Sequence, residues 1–203
     1  MAYAQTLPMN QGVFYDAAGG RDSVLGDAAA VMIMSWAIAV CARFCVPLPF
    51  TPVPLTGSTL GVLGAGALLG PRRGGAAAAL YLLQGGCGLP FFAGGAAGWA
   101  CLLGPTGGYL LGFVPGAWLA GLLAQRGWDR RTASNLALLL AGSAVILACG
   151  LVGLARFVPA GRLLSVGLYP FLVGDLFKSG VCAALLPWGW RWLGRNSGQG
   201  LTE

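Results

Sequence analysis

An acid and a base stand three residues apart inside an apolar segment near the C-terminus, at Asp175 and Lys178. A charged side chain inside a membrane-spanning helix costs about 2.5–3.5 kcal/mol on insertion scales, so such residues tend to mark functional sites. At positions i and i+3 the two side chains share one helix face. They can pair with each other in the empty protein and open towards a polar ligand, although a purely structural salt bridge is the alternative.

Other candidate ligand contacts are scattered along the chain. Gln84 lies well inside the apolar run Leu80-Tyr-Leu-Leu-Gln84, where its amide can bind a ligand or form a hydrogen bond between helices. Aromatic residues that could form the wall of an apolar site are Phe50, Phe91, Phe92, Trp99, Tyr109 and Tyr169. Taken singly, each is more typical of a core residue or a membrane-interface anchor.

The residue types argue against an enzyme. The sequence contains no histidine, which is the commonest general base and metal ligand. A serine hydrolase needs a base beside its serine, so Ser58 is interpreted as a small packing residue. The six cysteines include no CxxC pair, and no phosphate-binding GxxxxGK[ST] loop is present. We expect no catalysis, no metal and no cofactor.

Composition indicates the element that must position these groups. Of 203 residues, 57% are hydrophobic and 9% are charged, and the mean hydropathy is +0.74. Soluble domains carry about 25% charged residues. Because a helix crosses the hydrocarbon layer in about 20 residues, the length predicts an all-α, polytopic membrane protein: a bundle of six transmembrane helices.

Apolar windows separated by Pro, Gly or Arg give the predicted helices. They are residues 28–46, 55–70, 76–90, 102–124, 133–154 and 168–190. The predicted organisation is a cytoplasmic tail at 1–25, a membrane domain at 26–194 and a second cytoplasmic tail at 195–203. The first tail lacks the basic start and apolar core of a cleaved signal peptide.

Arginines are divided unequally between the two sides of this predicted bundle. One side has Arg21, Arg72, Arg73, Arg126, Arg130, Arg131, Arg191 and Arg195, and the other has Arg43, Arg156 and Arg162. The positive-inside rule places the richer side, with both termini, in the cytoplasm.

The connections predicted to lie outside are rich in Pro, Gly and aromatic residues and almost uncharged. They cover residues 47–54, 88–95, 104–109 and 167–171. Irregular backbone near membrane depth is tolerated where it is buried in protein or lines a cavity. The sequence therefore predicts a ligand pocket on the extracellular side.

Five segments in order carry a family resemblance. They are Phe50-Thr-Pro-Val-Pro-Leu-Thr56, Leu60-Gly-Val-Leu-Gly-Ala-Gly-Ala-Leu-Leu-Gly-Pro-Arg-Arg-Gly74, Gly88-Leu-Pro-Phe-Phe-Ala-Gly-Gly95, Gly104-Pro-Thr-Gly-Gly-Tyr-Leu-Leu-Gly-Phe113 and Pro170-Phe-Leu-Val-Gly-Asp-Leu-Phe-Lys178. With these segments the chain closely resembles the BioY family, the biotin-specific substrate-binding (S) components of energy-coupling factor (ECF) transporters.

The resemblance implies a function and a set of partners. A six-helix S component in the bacterial cytoplasmic (inner) membrane captures biotin from outside with high affinity. It then topples in the bilayer, and a transmembrane coupling (T) protein with two ABC-type ATPases supplies the work. Some relatives are thought to act without the ATPases, and the sequence does not distinguish the two kinds.

The resemblance also implies site residues. Asp175 and Lys178 match the family's acidic and basic residues: Asp175 would accept from the ureido N–H groups of biotin, and Lys178 would donate to the ureido oxygen or to the carboxylate. The expected ligand-binding set adds Gln84, Tyr109, Phe92, Gly94, Gly95, Thr51, Phe50, Thr106 and Gly107. The residue that binds the biotin carboxylate stays open.

S components often carry an AxxxA pattern on the first helix for contact with the coupling protein. This chain departs from it, with Ser35-xxx-Ala39 and Ala37-xxx-Cys41 as the nearest equivalents. Small residues still permit close helix approach, so Ser35, Ala37 and Ala39 are the expected partner contacts.

Three other functions are open to the sequence. An S component for a different vitamin would share the architecture and differ in the pocket. A membrane-embedded enzyme of lipid metabolism is disfavoured, because clustered carboxylates that could bind Mg²⁺ are lacking. A structural or channel-like subunit would show no saturable binding of a small molecule.

Overall fold

The protein is mostly helical in a computed structural model, which describes residues 13–17, 23–183 and 186–189. The helices are α1 (Phe14–Ala17), α2 (Val24–Arg43), α3 (Ser58–Gly86), α4 (Trp99–Leu103), α5 (Gly107–Gln125), α6 (Thr132–Leu154), α7 (Ala160–Gly167) and α8 (Tyr169–Cys182). Two-residue strands β1 (Cys45–Val46) and β2 (Leu55–Thr56) pair antiparallel, with Cys45 opposite Thr56. Short 3₁₀ turns occur at Ala93–Gly95 and Trp128–Arg130.

Several helices are long and apolar enough to cross a membrane. Within the described part of the chain there are four: Val24–Arg43, Gly107–Gln125, Thr132–Leu154 and the stretch Ala160–Gly180, which joins α7 and α8. A predominantly helical, membrane-compatible protein is thereby confirmed.

Helix α3 is a hairpin of two arms. Gly70 has a φ of 87° and interrupts the helical backbone just before Pro71. A straight helix would separate Gly66 from Gly74 by about 12 Å, yet a Cβ on Gly74 would lie 2.6 Å from the Cα of Gly66. The arms, residues 58–69 and 71–86, therefore run antiparallel and correspond to the predicted helices 55–70 and 76–90. The second begins earlier than predicted because proline suits the first turn of a helix.

Helix α5 packs against both arms through small residues. Gly121 contacts the backbone of Pro71, and Gly66 contacts the backbone of Ala117. Further along, the rings of Phe113 and Tyr81 are 6.1 Å apart. Glycine at such positions lets helix backbones approach closely, so α5 and α3 form the centre of the bundle.

Helix α6 covers the other side of α5. A Cβ on Gly153 would lie 2.6 Å from the Cα of Gly108, and one on Gly116 would lie 2.7 Å from Ile146. These contacts pair the start of α5 with the end of α6. The two helices are therefore antiparallel.

The two ends of the bundle differ in composition. The turn end contains the α3 turn, and there Arg73 binds Asp16 at 2.6 Å and Asp27 at 2.8 Å. The loop end contains the connections 44–57, 87–106 and 155–168, and Thr51 donates a hydrogen bond to the carbonyl of Val166 at 2.8 Å. The apolar connections predicted to gather on one side do so at the loop end.

Other boundaries differ from the prediction for local reasons. Helix α2 starts at Val24, inside the predicted tail, because the Ser23 side chain caps it by accepting from the Gly26 N–H at 3.0 Å. The predicted helix 102–124 is divided into α4 and α5 at Gly104. The predicted helix 168–190 is described as helical from Tyr169 to Cys182, and its end at 190 lies outside the described residues, as do most of the tails.

Candidate functional site

A cavity of about 60 Å³ lies at the loop end, between α3, α5, α6 and α8. Its wall combines aromatic and aliphatic side chains with a few polar groups. The apolar residues are Val53, Pro54, Tyr81, Ala93, Tyr109, Leu110, Phe113, Ile146, Leu147 and Phe171. The polar residues are Thr56, Ser58, Thr59, Thr106, Asp175 and Lys178.

The acid and the base of α8 both line this cavity, as their spacing predicts. Asp175 is buried, with 8% of its surface exposed, and Ser143 of α6 hydrogen-bonds to its carboxylate. Lys178 is half-buried, and its Nζ donates to the carbonyl oxygen of Thr56 at 2.6 Å. Each charged group thus has a neutral hydrogen-bond partner, and the two opposite charges also attract each other.

The polypeptide brings Lys178 to Thr56 through close packing of α8 on β2. A Cβ on Gly174 would lie 2.9 Å from the Leu55 side chain, so glycine there permits the approach. The hydroxyls of Thr56 and Ser58 are 2.6 Å apart. Together with Lys178 they form a row of polar groups, here called the polar strip, that ends at the start of α3. Strand β2 therefore supplies a backbone acceptor and the Thr56 hydroxyl to the cavity, and the start of α3 supplies the Ser58 hydroxyl.

Tyrosine hydroxyls tie the aromatic wall to the loops. Tyr109 donates to the carbonyl of Gly167 at 2.7 Å, and its ring is 5.6 Å from that of Phe171. Tyr81 donates to the carbonyl of Phe91 at 3.2 Å. The phenol groups hold the loop end together while their rings face the cavity.

Two predicted threonines have different positions. Thr106 lines the cavity, and its hydroxyl donates to the carbonyl of Cys101 at 3.0 Å. Thr51 is buried outside the lining, where it links the connection 47–54 to Val166. Gly107 is also outside the lining, and its backbone packs on Leu102.

Four other residues of the predicted set lie outside the cavity lining: Phe50, Phe92, Gly94 and Gly95. Phe92 is buried edge-on against Tyr81, with ring centres 5.7 Å apart. Gly94 and Gly95 follow in a turn with φ angles of 64° and 88°. Phe50 is 59% exposed.

Gln84 forms hydrogen bonds between two helices, which is one of the two roles that the sequence left open. Its Oε1 accepts a hydrogen bond from Ser35 at 3.0 Å, and its Nε2 lies 3.4 Å from the sulfur of Met32. Both partners belong to α2. The amide thus joins α2 to α3 and does not line the cavity.

The expected partner contacts on α2 differ in exposure. Ser35 is fully buried and hydrogen-bonds to Gln84 of α3, and Ala39 is 6% exposed. Ala37 is half-buried. The side of α2 that is exposed carries large apolar residues: Met32, Ile33, Trp36 and Val40.

Sequence reasoning missed part of the lining. Tyr81 lies three residues before Gln84 in the same run, and it forms the wall while Gln84 does not. Ser58, which the sequence suggests is a packing residue, lines the cavity. Ser143, the partner of Asp175, sits in an apolar helix, where a lone serine gives no signal.

The arrangement suits recognition of a neutral, strongly polar group. A carboxylate accepts N–H donors, and an ammonium donates to a carbonyl oxygen, so together they match a ligand that carries both. Such charge-assisted hydrogen bonds gain strength away from water. No cluster of His, Cys, Asp or Glu that could hold a metal occurs in the described residues.

Comparison with known proteins bears directly on this site. The sequence profile of the BioY family matches residues 14–195. The chain belongs to the BioY family. The matched region contains α1 to α8 and with them every residue of the cavity.

Relatives of this BioY-family chain are transporters. It is 38% identical over 149 residues to the biotin transporter BioY of Rhizobium etli, covering 70% of this chain and 79% of that protein. It is 41% identical over 142 residues to the biotin transporter BioY of Thermotoga maritima, covering 70% and 82%. The crystal structure of the S-component for biotin from an ECF-type ABC transporter superposes with a TM-score of 0.72 at 26% identity, covering 87% of this chain and 93% of that chain.

Proposed function

We propose that this chain binds biotin at the loop-end cavity and mediates its uptake as the S component of an ECF-type vitamin transporter. The observation that carries the proposal is the placement of Asp175 and Lys178 in one cavity of a BioY-family bundle. No covalent chemistry is involved. Biotin is cargo, and we propose no resident cofactor.

Biotin matches the cavity group by group. Its ureido N–H groups can donate to the Asp175 carboxylate, and its ureido oxygen can accept from Lys178 in place of the Thr56 carbonyl. Its apolar thioether ring can pack on Tyr81 and Phe113. Exchange of one neutral acceptor for another leaves the charge of the site unchanged, which favours a neutral head group.

Ligand entry requires the loop end to open. The cavity measures about 60 Å³, whereas pockets for drug-sized ligands are about 300–1,000 Å³. The loop 47–54 covers the site and is held by Thr51 to Val166. Release of that hydrogen bond would let the loop move away from the cavity.

For the topology we propose six spans: the two arms of α3 and the four long apolar stretches. Residues 58–69 would extend about 18 Å, less than the hydrocarbon thickness of about 30 Å, so this arm sits among its neighbours. Among the described arginines, five lie at the turn end (Arg72, Arg73, Arg126, Arg130 and Arg131) and three at the loop end (Arg43, Arg156 and Arg162). The positive-inside rule then puts the turn end and both termini in the cytoplasm.

The proposed partners are a transmembrane coupling protein and ABC-type ATPases in a bacterial cytoplasmic membrane. Because Ser35 and Ala39 are occupied by internal packing, we propose that the coupling protein meets the exposed apolar side of α2 around Ile33 and Trp36. Trp36→Ala should reduce uptake in cells while leaving biotin binding by the purified chain intact.

The deciding experiment is a thermal-shift and radiolabelled-binding panel on detergent-purified protein with biotin, thiamine and riboflavin. Saturable binding and stabilisation by biotin alone are expected. Selective binding of another vitamin would replace biotin as the ligand, and no response to any vitamin would reject an S component.

A further inference from the structure

Arg43 ends α2 at the loop end, and its guanidinium lies over the turn that contains Gly94 and Gly95. The Arg43 Nη1 atom is 3.0 Å from the position that a Cβ on Gly95 would occupy. Gly95 has a φ of 88°, a conformation that side chains other than glycine rarely adopt. The turn therefore presents bare backbone to the guanidinium.

The charge of Arg43 is not neutralised by a protein carboxylate in the described part of the chain. Asp16 and Asp27 bind Arg73 at the turn end, and Asp129 lies beside Arg130 at the same end. Asp175 is bonded to Ser143 inside the cavity. Arg43 is also exposed, so its guanidinium is available to an anion from outside the chain.

The turn under Arg43 is part of the cavity wall. Ala93, its first residue, lines the cavity, and the Gly95 N–H donates to the carbonyl of Phe92 at 2.9 Å. Phe92 packs against Tyr81, which also lines the cavity. Ala93 thus connects the cavity lining to the turn against which the guanidinium of Arg43 lies.

Resting on the proposed function, we infer that Arg43 binds the carboxylate at the free end of biotin while Asp175 and Lys178 hold the ureido head. The guanidinium offers a fork of donors that matches a carboxylate. Lys178 cannot serve both ends of the ligand, because it is at the polar strip with Thr56. Arg156 and Arg162 share the loop end, but neither has an atom within 4 Å of the Cβ position of Gly95, whereas Arg43 does.

The test compares biotin with biotin methyl ester, which keeps the head group and lacks the tail charge. Binding of both is measured by titration of detergent-purified parent protein, Arg43→Gln and the matched control Arg162→Gln. We expect Arg43→Gln to weaken biotin binding by about threefold to tenfold and to leave ester binding unchanged. Arg162→Gln should bind both ligands like the parent.

Salt provides a second readout, because an exposed ion pair is screened by ions. Biotin affinity of the parent should fall between low salt and 0.5 M KCl more than ester affinity does, and Arg43→Gln should lose that difference. Arg43→Lys should retain part of it. Normal ester binding by Arg43→Gln will show that the variant is folded.

Several results would overturn the inference and leave biotin binding itself standing. Equal affinity of the parent for biotin and ester would mean that the carboxylate is not recognised. Equal losses of both ligands in Arg43→Gln, no loss at all, or the same loss in Arg162→Gln would each deny Arg43 this role. Failure of the parent to bind either ligand would instead contradict the proposed function.

Discussion

The ammonium of Lys178 donates to the carbonyl oxygen of Thr56 across a distance of 2.6 Å, which joins α8 to β2 at the ligand cavity. A backbone carbonyl is a neutral acceptor that a ligand carbonyl can replace. Lys178 is half-buried, and this carbonyl gives its ammonium a neutral hydrogen-bond partner. This arrangement keeps the Asp175 carboxylate free to accept from a ligand while Ser143 holds it in place.

Replacement of the base is the first prediction. Lys178→Met should weaken biotin binding by at least tenfold, because a hydrogen bond to a charged group contributes about 1.5–3 kcal/mol. Isothermal titration of the purified variant measures the loss. Leu176→Met is a control from the same helix, since Leu176 is 58% exposed, and it should bind normally. Unchanged affinity in Lys178→Met would remove the base from the site.

Replacement of the acid should separate binding from folding. Asp175→Asn keeps a side chain that can accept from Ser143 but loses the charge, so we expect at least a tenfold loss of biotin affinity. The melting temperature of the ligand-free variant should stay close to that of the parent, while the stabilisation by biotin disappears. A variant that melts much earlier and still binds tightly would give Asp175 a structural role.

The sequence predicts the polar centre of the site well because charge inside an apolar segment is rare and its energetic penalty is large. Asp175 and Lys178 can be recognised from the sequence for that reason. Tyr81, Phe113 and Phe171 cannot be recognised in this way, because an aromatic residue in an apolar segment can belong to a core, a membrane interface or a cavity wall. Only their positions relative to the loops distinguish these roles.

The positions of the helices along the sequence were also easier to predict than the way the helices pack. Glycine followed by proline at Gly70-Pro71 predicts a break in the helix, and the two arms of α3 follow from that break. The burial of Ser35 and Ala39 could not be predicted, since small residues suit an internal contact and a partner contact equally. Which neighbour they meet depends on the position of α3.

The amide of Gln84 should contribute to stability and not to binding. Gln84→Leu removes the hydrogen bond from Ser35, and such interhelical bonds contribute about 0.6 kcal/mol on average. We expect a small fall in melting temperature and unchanged biotin affinity. A tenfold loss of affinity at normal stability would instead place the amide at the ligand.

The contact between Thr51 and Val166 should control how quickly the site opens. Thr51→Val has nearly the same shape but cannot donate to the Val166 carbonyl. Release of radiolabelled biotin into excess unlabelled ligand should become severalfold faster. Ser165→Ala removes an exposed loop-end hydroxyl that bonds only to the nearby Arg162 carbonyl and should not change the release rate as much. Equal rates for Thr51→Val and the parent would show that this hydrogen bond does not limit opening.

The close approach of the α3 arms gives a matched pair of glycine substitutions. A Cβ on Gly74 would lie 2.6 Å from the Cα of Gly66 and 2.9 Å from the Ala65 carbonyl oxygen, whereas one on Gly64 would meet nothing within 4 Å. Overpacking of this kind destabilises by about 1–3 kcal/mol. Gly74→Ala should therefore lower the unfolding free energy in mixed micelles by about that amount, and Gly64→Ala should be neutral or slightly stabilising. Because backbone atoms cannot move aside like a flexible side chain, equal stability of the two variants would mean that the arms are not in contact.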